Sequence, residues 1–464
     1  MGDTKDNPLP VVMIVGAGLG GLLLAVIFER NGVPYKILER ATKLKPLGSH
    51  FGFGCNILPV FEQLGLLEDL LRISYPIYSI DMYDTHLKPI GGFSFRRYKR
   101  KTGYETIMFP RPELHNILLS RVPPHKILLG KKVMSLLQNK EGVMIRCSDN
   151  TSYHGDILIG ADGAYSGVRQ SLYKAAIRNN ELPLCDRDGL NTGHVCIVGT
   201  TNPLDPAKYP VVNDNFAHFK RIISEGTPFS WSIVTVPEKR ICWMAVVQLS
   251  SSEAKNATFM NSEWGPESNA GMIKQIYNFP CPVGGTMGDL IDATPPDLIS
   301  KVFLEERLFE TWTYGRTALI GDAAHKFLPS AGQGAVNAMQ DAVIVANCIH
   351  DIEEPTYNNI MAALKDYYRQ RFPHVKYQMT KSRVLAKLLY GQTWQERMTR
   401  RLIFDWVPKS IQTKQFFKDA SYRPQIMFLP QVENRGTVAV LPQKPSKKYQ
   451  REQTLQDTPA SEDQ

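Results

Sequence analysis

Three clusters of glycine and aspartate carry the chemistry that this sequence offers. The first is Gly16-Ala-Gly18-Leu-Gly-Gly21. Gly16 permits a tight turn, Gly18 lets backbone N–H groups approach a pyrophosphate, and Gly21 lets the next helix pack against the preceding strand. The helix N-terminus then faces the phosphate charge. Glu39 follows Gly21 by eighteen residues. A carboxylate there hydrogen-bonds ribose hydroxyls and repels a 2′-phosphate, so the pattern reads as a site for an ADP moiety. The second cluster is Asp156-Ile-Leu-Ile-Gly-Ala-Asp162-Gly163-Ala-Tyr-Ser166-Gly-Val-Arg169. A buried strand delivers Asp162 and Gly163 to its C-terminal end, where open α/β sheets bind ligands. Ser166 is placed to cap the following turn, and Arg169 to pair with a carboxylate or phosphate. The third is Gly315-Arg-Thr-Ala-Leu-Ile-Gly321-Asp322-Ala-Ala-His325, followed by Gly332-Gln-Gly334-Ala335. Asp322 can accept hydrogen bonds from a polyol. The 332–335 turn opens a helix whose N–H groups would stabilise negative charge on a ligand.

These residues need elements to hold them. Val11–Val15 is a short β-branched run, read as a buried parallel strand. Leu22–Asn31 reads as a helix closed by Gly32, and Tyr35–Leu38 as the second strand of a βαβ unit. Asn56–Arg72 and Arg111–Ser120 read as helices, and residues 77–106 as strands. Lys131–Leu137, Gly142–Cys147 and Ile157–Ile159 are further strands. Gly193–Thr200, Ser230–Val236 and Ile241–Leu249 suggest an inserted sheet domain. Thr317–Ile320 is again a buried strand, and a long helix is expected over 333–350. Helical patterns dominate 357–420. Residues 443–464 are polar and aperiodic, and read as a disordered tail.

Composition bounds the class. The chain has 464 residues, 43% of them hydrophobic and 21% charged. That excludes a mainly disordered, collagen-like or coiled-coil protein and leaves room for about three domain-sized pieces. The net charge of +9 is read as a solvated surface, and no basic stripe with interleaved aromatics supports nucleic-acid binding. Seven single cysteines without a C-x-x-C pair point to a reducing, cytoplasmic setting. No metal site is expected. Residues 11–28 form an apolar run of 18, long enough to suggest a membrane span. The strand–turn–helix reading explains it instead.

Taken together, the three segments occur in the order and spacing of the flavin-dependent monooxygenases of the aromatic-hydroxylase class, group A, and the chain resembles them from residue 11 to residue 380. The resemblance implies an α/β fold: a Rossmann-like FAD-binding domain with an inserted mixed-sheet substrate domain and C-terminal helices. The expected ranges are 9–76, 107–180 and 304–375 for the FAD-binding domain, 77–106 and 181–303 for the substrate domain, and 376–442 for the helical region. It also implies noncovalent FAD, reduction by NADPH or NADH, and transfer of oxygen from O2 to a small aromatic or isoprenoid substrate, by hydroxylation or epoxidation in secondary metabolism.

Carried over residue by residue, Gly16, Gly18, Gly21 and Glu39 would hold the adenosine and pyrophosphate. Arg111, in Phe-Pro-Arg-Pro-Glu-Leu, would lie near the pyrophosphate and ribitol. Asp162 and Gly163 form the second fingerprint, Asp322 would contact ribitol or pyrophosphate, and Gly334 and Ala335 would lie beside the flavin ring. Gly52, taken in preference to Gly54, matches the family's glycine stretch. Some relatives carry a catalytic Tyr in the inserted sheet. The matching stretch, Asn215–Lys220, has none, and His218 is the candidate acid or base in its place. Trp231 and Trp243 are weighed as cavity lining against ordinary core. Halogenases on this scaffold carry W-x-W-x-I-P, absent here. A flavin-dependent reductase or oxidase and a non-catalytic flavoprotein are the remaining alternatives. Segment 380–418 mixes basic and apolar residues, and is read as a helical cap or as a peripheral membrane contact.

Overall fold

A six-stranded sheet forms the centre of the nucleotide-binding half. Its order is β17-β18-β11-β1-β2-β7, where β1 is Val12–Val15, β2 Tyr35–Leu38, β7 Ile127–Leu128, β11 Ile157–Gly160, β17 Thr313–Tyr314 and β18 Thr317–Leu319. All neighbours are parallel except β17, which runs antiparallel to β18. The β1 and β11 residues are buried without alternation, as expected of strands covered on both faces. Helix Leu19–Asn31 covers one side and ends on Gly32 at φ +71°, a left-handed cap that glycine adopts without strain. The computed structural model describes residues 9–44, 48–249, 269–329, 332–391, 393–408 and 416–457. Parts of the expected substrate domain (250–268), of segment 380–418 and of the tail (458–464) therefore lie outside the described residues.

The second large sheet has ten strands. Its order is β19-β16-β12-β15-β14-β13-β4-β6-β3, with β5 paired to β4. These are β3 His50–Phe53, β4 Tyr75–Tyr83, β5 Pro89–Ser94, β6 Ile107–Pro110, β12 Asn191–Thr200, β13 Ala217–Ile223, β14 Phe229–Val236, β15 Arg240–Gln248, β16 Ser300–Leu308 and β19 His325–Lys326. The expected strands of the inserted block are present. β13 is a strand that the sequence pattern did not single out. The two faces have different neighbours. Ile197, Ile222, Trp231, Ile233 and Trp243 pack with the short helices Ala270–Ile276 and Met287–Asp292. Cys196, Val198, Ile223, Met244 and Val246 pack with Leu328 and with Ala386, Leu389 and Tyr390 of helix Tyr357–Tyr390.

Four sequence expectations are corrected. Asn56–Arg72 is two short helices, Leu58–Gln63 and Leu67–Arg72, because Gly65 at φ +71° breaks the run. Residues 77–106 are not all strand, since Tyr98–Thr102 is helical. The stretch 421–446 carries no helix. It packs back on the nucleotide-binding half, burying Ile426 and Phe428 in the main core and exchanging amide hydrogen bonds with Gln63 and Asn347. Finally, Lys447–Asp457 is a helix rather than disordered tail. Ser446 sits at its start and donates its hydroxyl to Asp351 at 2.5 Å.

Candidate active site

The phosphate turn is built by exclusion. Gly16 has φ +107°, and a Cβ there would stand 2.4 Å from the Ala161 carbonyl oxygen. A Cβ on Gly21 would stand 2.2 Å from the Gly16 carbonyl oxygen. Both glycines are therefore fixed by the protein's own backbone. Gly18 differs, for a Cβ there meets nothing within 4 Å. That open space lies at the N-terminus of helix Leu19–Asn31, where an anion is favoured. Glu39 closes the turn from the side: Oε2 accepts from the Ala17 N–H and Oε1 from the Ala41 N–H, each at 2.8 Å. Each oxygen keeps a further lone pair for a ribose hydroxyl. His115 was not found from the sequence. It is buried, donates Nε2–H to the Ala17 carbonyl at 2.9 Å, and is held neutral by burial, which lowers its pKa. Its partner is 98 residues away, and no local pattern marks it.

The second segment arrives as expected at the end of β11. Gly163 has φ +82°, and Ser166 caps helix Gly167–Arg178 by accepting from the Arg169 N–H at 2.8 Å. Asp162 Oδ2 accepts from the Val168 N–H, while Oδ1 is buried without a partner. Burial raises the Asp162 pKa, against the hydrogen bonds from Ser166 and Val168. Arg169 corrects its expectation. Its guanidinium binds the carbonyls of Ala164 and Ala323 and stacks on Phe309 at 4.2 Å. It ties the second segment to the third rather than facing a phosphate.

The third segment is held from beneath by a buried ionic network. Asp341 Oδ2 accepts from the Gly321 N–H at 2.9 Å and from His325 Nε2 at 2.6 Å, and Oδ1 accepts from Arg371 Nε at 2.7 Å. The side chains of Asp341, His325 and Arg371 are fully buried. Arg371 also donates to the Asn337 carbonyl and side chain and to Gln340. The network fixes the Gly321–Ala323 turn against helix Gly334–His350. Asp322 is thereby presented outward, accepting from Lys326 and lying within electrostatic range of Arg111, whose own pKa burial lowers. Arg111 opens helix Arg111–Leu119 and packs under Gly48, where a Cβ would stand 2.6 Å from its Cδ. Gly334 and Ala335 form the first turn of their helix. That helix packs closely on the first one, as a Cβ on Gly20 would lie 3.3 Å from the Ala338 carbonyl oxygen. Gly52 lies in β3, where a Cβ would meet the end of the flexible Met108 side chain, Sδ, at 2.7 Å.

These residues fit an FAD. Gly18 leaves space above a helix N-terminus, Asp162 offers a buried acceptor oxygen that lacks a donor, and Arg111 stands between the first and third segments. The helix at Gly334–Ala335 aims a second positive end at the same region.

On the large sheet, His218 and Arg221 fall on opposite faces. His218 does not share the face that carries Arg221 and Ser232. Ala217 and Phe219 share one face, and His218 points to the other, where Nε2 meets Asp214 Oδ2 at 2.7 Å and the ring stacks on Phe216. Trp231 and Trp243 lie in the core on that same outer face, donating to the Pro280 carbonyl and to Thr294 Oγ1. On the inner face, one cross-strand row runs Met82–Arg221–Ser232–Met244–Val198. Arg221 is 5% exposed, and among the described residues no carboxylate pairs with it. Its guanidinium lies over Phe219 and Tyr390 at 5.7 and 5.5 Å. Ser232 Oγ beside it is buried without a partner. His50 packs edge-on against Phe219. Burial, and then the Arg221 charge, depress its pKa to about 3.

Comparison with known proteins now names the class. The chain matches the family described as "FAD binding domain" over residues 9–181 and 286–382, more than half its length. It is 30% identical over 393 residues to the FAD-dependent monooxygenase penM of Penicillium crustosum, covering 81% of this chain and 78% of that protein. It is 27% identical over 394 residues to the FAD-dependent monooxygenase nodM of Hypoxylon pulicicidum, covering 81% and 80%. Among solved structures, HpxO of Klebsiella pneumoniae with FAD and uric acid superposes with a TM-score of 0.71 at 21% identity, over 89% of this chain and 97% of that one. CtdE with FAD and a substrate gives 0.66 at 18% identity, over 89% and 98%. The chain belongs to this FAD-binding family, and within it to the FAD-dependent monooxygenases.

Proposed function

We propose that this monooxygenase uses NADPH or NADH to hydroxylate or epoxidise a small aromatic or isoprenoid substrate that presents an oxygen function to Arg221. The observation that carries this reading is the buried Arg221 guanidinium, without a described carboxylate partner and beside the free Ser232 hydroxyl. A buried cation is costly unless something compensates it. A substrate carbonyl, enolate or carboxylate would supply an acceptor beyond the Tyr390 hydroxyl that Arg221 already faces, and Ser232 a further hydrogen bond. His50, neutral at physiological pH, adds no competing charge. Met82, Met108 and Met244 give the surrounding wall an adaptable apolar lining.

Bound FAD supplies electron uptake from the nicotinamide and oxygen activation. The protein's part is to bind, orient and dry. The Gly18 turn and the helix at Gly334–Ala335 would turn their positive ends toward the cofactor, and the Asp341 network would hold Asp322 in register. Arg221 sets which end of the substrate is turned away from the oxygen that is transferred.

The test is product analysis of the holoenzyme with NADPH, 18O2 and a panel of aromatic and isoprenoid candidates. A product two mass units heavier than that from 16O2 is expected, and turnover without label would contradict oxygenation. For the substrate so found, Arg221→Met should retain FAD while KM rises at least tenfold, because a charge-assisted hydrogen bond contributes about 1.5–3 kcal/mol. An unchanged KM would refute the role of Arg221.

A further inference from the structure

Helix Trp394–Trp406 presents an unusual outer row. Trp394, Met398, Leu402 and Trp406 are 67%, 45%, 53% and 80% exposed. They are spaced four residues apart, so they lie on one side of the helix, in a stripe about 18 Å long. The stripe is not a frayed end. The helix starts with a capping box in which Thr393 and Glu396 satisfy each other's backbone N–H groups. From beneath, the buried Arg400 donates to the carbonyls of Leu388 and Gly391, locking this helix to the end of helix Tyr357–Tyr390. Phe404 packs on the Phe93 ring at 5.8 Å and fills the space over Gly91. The inner side is thus fastened and the apolar outer side is held in solvent.

Among the described residues the other tryptophans are hidden. Trp231, Trp243 and Trp312 are buried. Exposing two tryptophans, a methionine and a leucine in one line is costly unless something covers them.

We propose that this row is a docking surface for an anionic lipid bilayer, lying in the interface with Trp394 and Trp406 at the headgroup level. Three features select lipid. Tryptophans at both ends of an apolar stripe match the interfacial preference of indole. Arg397 and Arg401 follow Trp394 and Met398 by three positions each, so cations border the stripe along one edge, although Arg401 also pairs with Glu225 at 3.1 Å. Lys387, exposed near the end of the preceding helix, is a further cation. This is the composition of an interfacial amphipathic helix. Among the described residues no helix is long and apolar enough to cross a membrane, so the contact is peripheral. The position has a consequence for the chemistry. Phe404, on the underside of the same helix, belongs with Leu385, Ala386, Leu389 and Tyr390 to the cluster that packs on the inner face of the substrate sheet. Docking would therefore set the covered side of the substrate cleft against the bilayer. The inference does not depend on which substrate is used.

The experiment is flotation of the FAD-loaded full chain with vesicles of phosphatidylcholine containing 30 mol% (roughly, to give a strong surface charge) phosphatidylserine, and with phosphatidylcholine alone. The wild-type protein should float with the anionic vesicles at least tenfold more than with neutral ones. A W394S/W406S variant should lose that binding tenfold or more. Its flavin absorbance and its rate of reduction by NADPH should match wild type, because both positions are exposed. M398Q/L402Q should show the same loss and guards against an effect of one substitution pair. The proposal is overturned if the wild-type protein floats with neither vesicle, or if both variants bind as wild type does. It is equally overturned if size-exclusion chromatography shows a dimer that W394S/W406S converts to monomer, since the row would then be covered by a second copy.

Discussion

Replacing Gly18 by Ala should separate cofactor binding from folding. Gly18 has φ −76° and ψ 178°, a conformation open to any L-residue, and the new Cβ meets nothing within 4 Å. Two small stability effects then oppose each other. Restricting the unfolded chain stabilises by about 0.4–1 kcal/mol. Alanine is a poorer N-cap than glycine, which costs roughly 0.5–1 kcal/mol. The FAD-free protein should therefore unfold within about 1 kcal/mol of wild type. FAD binding should not survive so well. With the pyrophosphate over Gly18 as proposed, the methyl group would stand in its approach to the backbone N–H groups, and a loss of at least about 1.4 kcal/mol, tenfold in Kd, is expected. Gly16→Ala is the control with the opposite signature. At φ +107° and 2.4 Å from a carbonyl oxygen, it should destabilise the FAD-free protein by roughly 1–3 kcal/mol. The assay is thermal unfolding of the stripped proteins together with FAD titration by flavin fluorescence quenching. If Gly18→Ala bound FAD as tightly as wild type, the placement of the pyrophosphate over Gly18 would be wrong.

Asp341→Ala should be among the most damaging single changes, because it strands the buried Arg371. Removing one partner of a buried pair costs about 3–5 kcal/mol, a large part of the roughly 5–15 kcal/mol total of a folded domain. A smaller loss in chemical denaturation, with FAD retained, would mean that the network does not support the third segment. The same group sets an acid limit. Burial alone would raise the Asp341 pKa, but His325 and Arg371 outweigh it and hold the folded value below 3.8. Its contribution is therefore fully present above about pH 4 and is lost as pH falls through the lowered folded value. Stability measured against pH should fall less steeply in Asp341→Asn than in wild type over that acid range. His218→Asn should leave turnover within about twofold of wild type, since a side chain on the outer face, paired with Asp214, touches no reacting group; a loss of a hundredfold would restore its catalytic role.

How much was legible follows from where the controlling contacts lie in the chain. Gly16, Gly18, Gly21 and Glu39 could be read because one βαβ unit within 30 residues imposes them: tight turn, close approach, helix packing. Asp162, Gly163, Asp322, Gly334 and Ala335 could be read because each ends or begins an element with a plain apolar pattern. Arg221 and His218 could not be sorted, because strand alternation assigns a face only once the strand and its neighbours are known. Turn residues 213–215 and 224–228 bound β13, but its inner face is defined by β4, far away in sequence. His115, Asp341 and Arg371 act through partners 16 to 98 residues distant, which periodicity does not record. The Lys447–Asp457 helix has no apolar face to betray it; its start is fixed by Ser446 against Asp351, a tertiary contact.

The most direct test of the account is the visible absorption spectrum of the purified full chain, taken before and after acid precipitation and after anaerobic addition of NADPH with an identified substrate. The account predicts the two bands of oxidised flavin, release of intact FAD into the supernatant on precipitation, and bleaching on reduction. Absence of flavin even after reconstitution with FAD would contradict the central claim that the three segments form its binding site.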